Sequence, residues 1–367
     1  MSINLMKAHS QWRDRPEDQR FGTLEDLDEA VRNRQMQSRQ RDITLSELSA
    51  THEGDSISLT NGVPAELSHW SFGQLSQRLG APAGYLRGLP VEKTTDLLNH
   101  HLNTRPDDKL KLLTFEDESG ENRAQAVTSR TYGRVWDADL TKALLRIQEA
   151  SDGKWYNPKA YASGNFGGAP EPSGLYASDR DVFAFLIDGG SMFDAGPRAK
   201  MNRGFFAWNS EVGNSTLGLC TFGFNTVCGN HIVWGATDIN QFTIVHRSGA
   251  PRRFDDELIP MLHDYANASM KPMEEAVTRA IGYRLPKRDD HWWKKLVGSK
   301  RFTKVELASA IDYAKREEGQ CETLWDLVQG FTASAREYSH IDARVSLEKR
   351  SGKLLDIVKD SSTAVLV

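Results

Sequence analysis

Residues 182–187, Val182-Phe183-Ala184-Phe185-Leu186-Ile187, form an unbroken run of β-branched, aromatic and aliphatic side chains that stops at Asp188-Gly189-Gly190. Such side chains favour a packed, pleated surface, and a polar, glycine-rich boundary marks where a strand ends. The run predicts a strand. Gly204 to Trp208, Ser215 to Phe224 and Phe242 to His246 share its character, so the middle of the chain is expected to be a sheet. Six apolar residues fall far short of the roughly 20 needed to span a bilayer.

Upstream, Leu110 to Phe115 and Ala124 to Thr128 flank a turn at Asp117 to Gly120, and Ala138 to Ile147 follows as a helix capped by Asp137, which makes a hairpin-then-helix unit. Ile57-Ser58-Leu59-Thr60 running into Asn61-Gly62 predicts a further hairpin. Between the two lies a helical pair, Ser71 to Leu79 and Ala83 to Leu89, divided at Gly80. Its outline matches a DNA-binding helix-turn-helix. The second segment offers only Arg87 as a charge, however, so a packed pair is the plainer reading.

Residues 1–42 mix eight basic with eight acidic residues and are expected to form a mobile arm, with a short helix near Leu24 to Val31. The Gly- and Pro-rich stretch from Trp155 to Gly174 is expected to be a loop or lid. Downstream, Leu258 to Ile281, Lys304 to Arg316, Thr323 to Ser334 and Asp342 to Val358 carry apolar residues at helical spacing. The expected architecture is α+β: an antiparallel β-rich central domain over 43–255 with an N-terminal helical pair, followed by a helical C-terminal region over 256–367.

With 367 residues, 39% of them hydrophobic, the chain can bury at least one full core. A formal net charge of −4 excludes a surface coated in positive charge, so any nucleic-acid site must be local. Three cysteines, an odd number, point to free thiols in a reducing compartment, and the start lacks the pattern of a secretion signal. A cytoplasmic protein of a bacterial host cell is expected.

The strongest local composition signal is Lys287, Arg288, Trp292, Trp293, Lys294, Lys295, Lys300, Arg301 and Lys304, with Arg284 and His291 beside them. Cations neutralise phosphates while an exposed indole stacks on any base, a combination suited to a single strand. The plain alternative buries both tryptophans between helices and leaves the lysines solvated. Arg247, Arg252 and Arg253, with Arg198, Lys200 and Arg203, form a second basic group that a folded sheet could gather at one rim.

Asn209, Ser210, Glu211, Asn230, His231 and His246 are polar residues inside apolar sequence. They mark either a polar pocket or a hydrogen-bonded network that fixes loop geometry. Cys220, Cys228, His231 and His246 fit no standard zinc spacing, and no metal or cofactor is expected. The signatures of P-loop nucleotide hydrolases, G-x-S-x-G esterases and H-E-x-x-H metalloproteases are missing.

Trp208-Asn209-Ser210-Glu211-Val212-Gly213, Asn225-Thr226-Val227-Cys228-Gly229-Asn230-His231 and Ile244-Val245-His246-Arg247 resemble blocks of the phage- and plasmid-type family catalogued as domain of unknown function 932. Ser129-Arg130-Thr131-Tyr132 and the stretch from Leu75 to Leu89 with Gly80-Ala81-Pro82 are similar to its earlier blocks, so the likeness spans about residues 70–250. It implies a mobile-element origin and no assigned reaction. The hairpin-then-helix order also suits ring-forming single-strand annealing proteins, an analogy at fold level only.

The expectation is therefore an oligomeric single-stranded DNA-binding protein, in a strand-annealing role without nucleotide hydrolysis. Two alternatives stand beside it. One is an enzyme acting on a nucleotide or nucleic acid in a pocket around Asn209, Glu211 and His231; the other is a phage counter-defence protein that binds a host protein.

Overall fold

Thr23 opens the first helix of the computed structural model, its hydroxyl accepting from the Asp26 amide at 3.1 Å. Residues 16–117, 119–150, 155–157, 174–227, 232–233, 241–287, 291–298, 301–335, 337–338 and 341–358 are described. Helix α1 (Leu24–Met36) leads straight into strand β1 (Ser38–Thr44). The stretch expected to be an arm is thus helix and strand from Leu24 to Thr44. Its sparse apolar residues suffice because Leu24, Leu27 and Val31 share one face and are all buried.

Strands β2 (Ser49–Glu53), β3 (Ser56–Asn61) and β4 (Val63–Leu67) precede helices α2 (His69–Leu79), α3 (Ala83–Leu86) and α4 (Val91–Thr104). Strands β5 (Lys109–Glu116) and β6 (Asn122–Ser129) then form the predicted hairpin. Together these strands build a six-stranded sheet in the order β1-β5-β6-β4-β3-β2, antiparallel except where β4 meets β6. Phe72, Leu75, Leu79, Leu86, Leu98 and Leu102 from the three helices cover one of its faces, over Ile43, Leu59, Leu112 and Val127.

Helix α5 (Asp137–Ala150) leads into a second sheet of β7 (Trp155–Tyr156), β8 (Leu175–Ala177), β9 (Val182–Asp188), β10 (Phe193–Asp194), β11 (Lys200–Asn209), β12 (Leu217–Asn225), β13 (Ile232–Val233) and β14 (Phe242–Ile244). Val182, Ala184 and Leu186 face one side, into a core shared with α1 and α5. Phe183, Phe185 and Ile187 face the other, in an aromatic layer with Phe206, Trp208 and Phe222. Trp208 pairs across the strands with Gly218, where a Cβ would collide with the indole.

The helical region begins at Ala250, with α6 (Ala250–Arg253), one wide turn over Phe254–Leu258, α7 (Ile259–Asn267) and α8 (Lys271–Gly282). The single helix expected from Leu258 to Ile281 is broken because Ala268 is extended and Pro272, which lacks an N–H, starts a new helix. Helices α9 (His291–Gly298), α10 (Lys304–Glu317), α11 (Leu324–Ala335) and α12 (Ile341–Gly352) complete the layer. Every residue of α11 is buried, which makes it the axis of this layer. Arg198 pairs with the buried Asp326 and ties the layer to the second sheet. Among the described residues no helix is long and apolar enough to cross a membrane.

Candidate functional site

Among the places that gather polar side chains are a buried joint between the sheets and an open cleft on the first. The joint holds four of the residues singled out above. Asn209 ends β11 and donates through Nδ2 to the Val135 carbonyl at 2.9 Å and to Asp137 Oδ1 at 2.7 Å. Glu211 Oε2 accepts from the Asp137 amide at 3.2 Å, and its own carbonyl accepts from Arg134. Ser210 donates to the Arg180 carbonyl at 2.5 Å, while its carbonyl accepts from Tyr132 Oη at 3.0 Å. His246 lies on the Tyr132 ring at 5.1 Å between centroids, with Nδ1 3.1 Å from the Gly133 carbonyl. A Cβ on Gly133 would collide with the Arg247 carbonyl, so this close passage requires glycine.

Burial pushes the Asp137 carboxyl well above the usual carboxylate range, and neighbouring Glu211 pushes it further. Burial raises Glu211 too, against the pull of Arg34 and Arg134. Burial also lowers His246 to about 4 and raises the Cys220 thiol to about 12. Arg134 Nη2, Asn209 Oδ1 and His246 Nε2 have no hydrogen-bond partner among the described residues. Leu113, Ala126 and Val212 form the apolar part of the joint, and Trp70 and Gln74 both donate to the Val212 carbonyl. Asn209, Ser210, Glu211 and His246 are thus brought together, as a sealed network rather than an open pocket. Asn230 and His231 lie outside the described residues, as does Cys228, and no metal-ligating group of three His, Cys, Asp or Glu occurs among the described ones.

The basic-aromatic run is divided. Trp292 and Trp293 are 8% and 7% exposed, packed edge to face at 4.9 Å in the helical core, and Trp293 donates to the Pro286 carbonyl at 3.0 Å. They are core residues, not a platform for bases. The amphipathic turn that directs both indoles inward leaves Lys294 outside, with Lys295 half-buried. Lys287 and Lys304 are exposed and Arg301 is half-buried, whereas Arg288 and Lys300 lie outside the described residues. In the second group, Arg252 and Arg253 are neutralised by Asp256 at 3.0 Å and Glu257 at 2.7 Å, and Arg247 remains exposed. Arg203, buried, pairs with Asp188 at 3.2 Å.

The cleft was not apparent from composition. Strand β1 places Arg39 opposite Thr114 and Arg41 opposite Leu112, so both arginines share the face that the helices cover elsewhere. Burial fades along that face, from Ile43 and Leu110 at the covered end to Arg39, Val63 and Glu116 at the hairpin turns. The uncovered end is a cleft of about 150 Å³ with Arg39 and Arg41 on one wall, Asn61, Val63, Thr114, Asn122 and Glu116 around it, and the buried Ile43, Leu59 and Leu112 at its inner end. Neither arginine pairs with a carboxylate among the described residues. The signal available beforehand was the alternation of Arg39 and Arg41, obscured by the polar surroundings that suggest an arm.

No family model, curated protein or solved structure matches the chain. The structure defines it as an α+β protein whose described residues form two sheets and a helical layer, with a sealed polar joint and an open basic cleft.

Proposed function

We propose that this chain binds single-stranded DNA, with the strand crossing the open end of the six-stranded sheet and its phosphates on Arg39 and Arg41. The observation that carries this reading is the pair of guanidinium groups on one face of an edge strand, neither of which forms an ion pair with a described residue. Two residues of a strand rise by about 6.7 Å, a spacing at which each fork can take a separate phosphate of an extended chain. Bases then lie beside the exposed Val63, with Asn61, Asn122 and Glu116 offering hydrogen bonds to their edges.

A cleft of about 150 Å³ suits one flexible strand rather than a duplex, and exposed Lys287, Lys294 and Arg247 are further cations on the surface. With both tryptophans in the core, the binding is mainly electrostatic, with a dissociation constant on the order of 10⁻⁵ M at physiological salt. Within this proposal the role is strand handling or annealing in the bacterial cytoplasm, without nucleotide hydrolysis, in keeping with the resemblance to phage- and plasmid-type proteins.

Fluorescence anisotropy of labelled single-stranded and duplex DNA across a salt series tests it. Removing one phosphate-binding cation should reduce the log–log salt slope by about 0.7, so Arg39→Ala/Arg41→Ala should reduce it by about 1.4. Absence of single-strand binding at low salt overturns the proposal, and equal affinity for duplex overturns the preference for a single strand.

The enzyme reading has one observation in its favour, the meeting of Asn209, Glu211 and His246. Their pairing weakens it: His246 Nδ1 engages the Gly133 carbonyl and Glu211 engages the Asp137 amide, so the carboxyl and the imidazole do not form an acid–base couple.

A further inference from the structure

Helix α10 buries Leu307, Ala310, Ile311 and Ala314 against the rest of the helical layer. Its opposite face is a shallow groove that includes Lys304, Val305, Ala308, Asp312, Tyr313 and Arg316. Val305 is 79% exposed, more than any other large apolar side chain among the described residues. At 79% exposure Val305 buries little of its apolar surface in this chain, on a helix capped by Thr303 and Glu306. The side chains of Lys304 and Asp312 form no ion pair or hydrogen bond with a described residue, whereas Arg316 is held over the Tyr313 ring at 3.9 Å.

Two of the three charges on this face, Lys304 and Asp312, are complementary to each other. Lys304 and Asp312 lie four residues on either side of Ala308, which is about 6 Å in each direction along the axis. When two copies of the helix run antiparallel with Ala308 at the crossing, each Lys304 meets the other copy's Asp312, and one arrangement makes two charge pairs. Ala308 at the centre has the small side chain that allows axes to approach to about 8 Å. Val305, one turn away, is then covered by the facing helix. A parallel arrangement in register would instead set Lys304 against Lys304 and Asp312 against Asp312.

We propose that the outer face of α10 is a two-fold interface through which two copies of this chain associate. The patch is a single helix face, smaller than the interfaces of permanent dimers, so the association is weak and concentration-dependent. A partner segment carrying one sign of charge would be attracted at one end of the face and repelled at the other. A second copy satisfies both ends.

Sedimentation velocity of the full chain, from roughly 1 to 100 µM at low salt, tests the proposal without DNA and independently of the binding role above. The wild type should shift from monomer toward dimer mass as concentration rises. Lys304→Asp and Asp312→Lys each turn two attractions into two repulsions and should weaken association about tenfold or more. The double variant Lys304→Asp/Asp312→Lys should restore it, because the pairs form again with signs exchanged. Val305→Asp should abolish it. All these positions are exposed, so unchanged thermal melts will show that each variant is folded. A wild type that stays monomeric throughout, single reversals without effect, or a double reversal that fails to rescue would each overturn the interface.

Discussion

Asp137 and Glu211 place two carboxyl groups in one buried layer, where ionising both is costly, and the folded state holds a proton that the unfolded chain releases near pH 4. Folded-state values above the unfolded ones mean that this contribution is full at low pH and is lost as pH rises from about 4 through the raised value. His246 acts in the opposite sense. With its value lowered from 6.5 to about 4, its contribution is full above pH 6.5 and is lost as pH falls to about 4. That loss amounts to roughly 3 kcal/mol. Asp137→Asn separates the two groups: the amide oxygen still accepts from Asn209, and no charge remains to repel Glu211. The variant should gain stability relative to wild type as pH is raised from 5 to 8, measured by urea denaturation at each pH. A constant difference across that range would show that Asp137 is ionised throughout.

Among the elements, α9 shows how one amphipathic turn divides adjacent residues between core and solvent. Trp292 is packed near Tyr283 and Trp293, so Trp292→Ala removes a large core side chain and should cost about 3–5 kcal/mol. Lys294→Ala/Lys295→Ala should change the melting midpoint little and weaken DNA binding only by reducing long-range charge. Thermal melts followed by circular dichroism, paired with anisotropy, compare the two variants. If Trp292→Ala leaves the melt unchanged, the indole is not a core residue. Strand β1 presents the complementary case, since its polar, charged sequence has little strand character of its own and is held by the ladder to β5.

On the scale of the whole molecule, the segment from Leu24 to Thr44 joins the two sheets: α1 packs into the core of the second, and β1 is an edge of the first. Asp28 reinforces the attachment, accepting from Thr141 of α5 at 2.7 Å and pairing with Arg32 at 2.5 Å. Leu27→Ala should therefore cost about 3 kcal/mol of global stability. It should lower the urea midpoint of the main transition; a mobile arm would leave that midpoint unmoved.

The strand at residues 182–187, the hairpin spanning 109–129 and the helix after Asp137 were legible in the sequence because each is specified by its own neighbours, apolar runs, turn residues and helical spacing, although Asp137, expected as the cap, is the helix's first residue and engages Asn209 instead. Of the six polar residues singled out, Asn230 and His231 lie outside the described residues; the other four, Asn209, Ser210, Glu211 and His246, were legible as a group because polar residues within apolar sequence must find partners. Their principal partners, Arg134 and Asp137, were not identifiable as such, because Asp137 lies 74 residues from Glu211 and only the packing of α5 beside β11 brings them together. The direction in which Trp292 and Trp293 point, the pairing of Arg39 and Arg41 with β5, and the open end of the first sheet depend likewise on packing between distant segments. Local sequence sets which elements can form, whereas burial of their faces against one another sets which side chains remain for solvent and ligand, and that choice is made only in the tertiary structure.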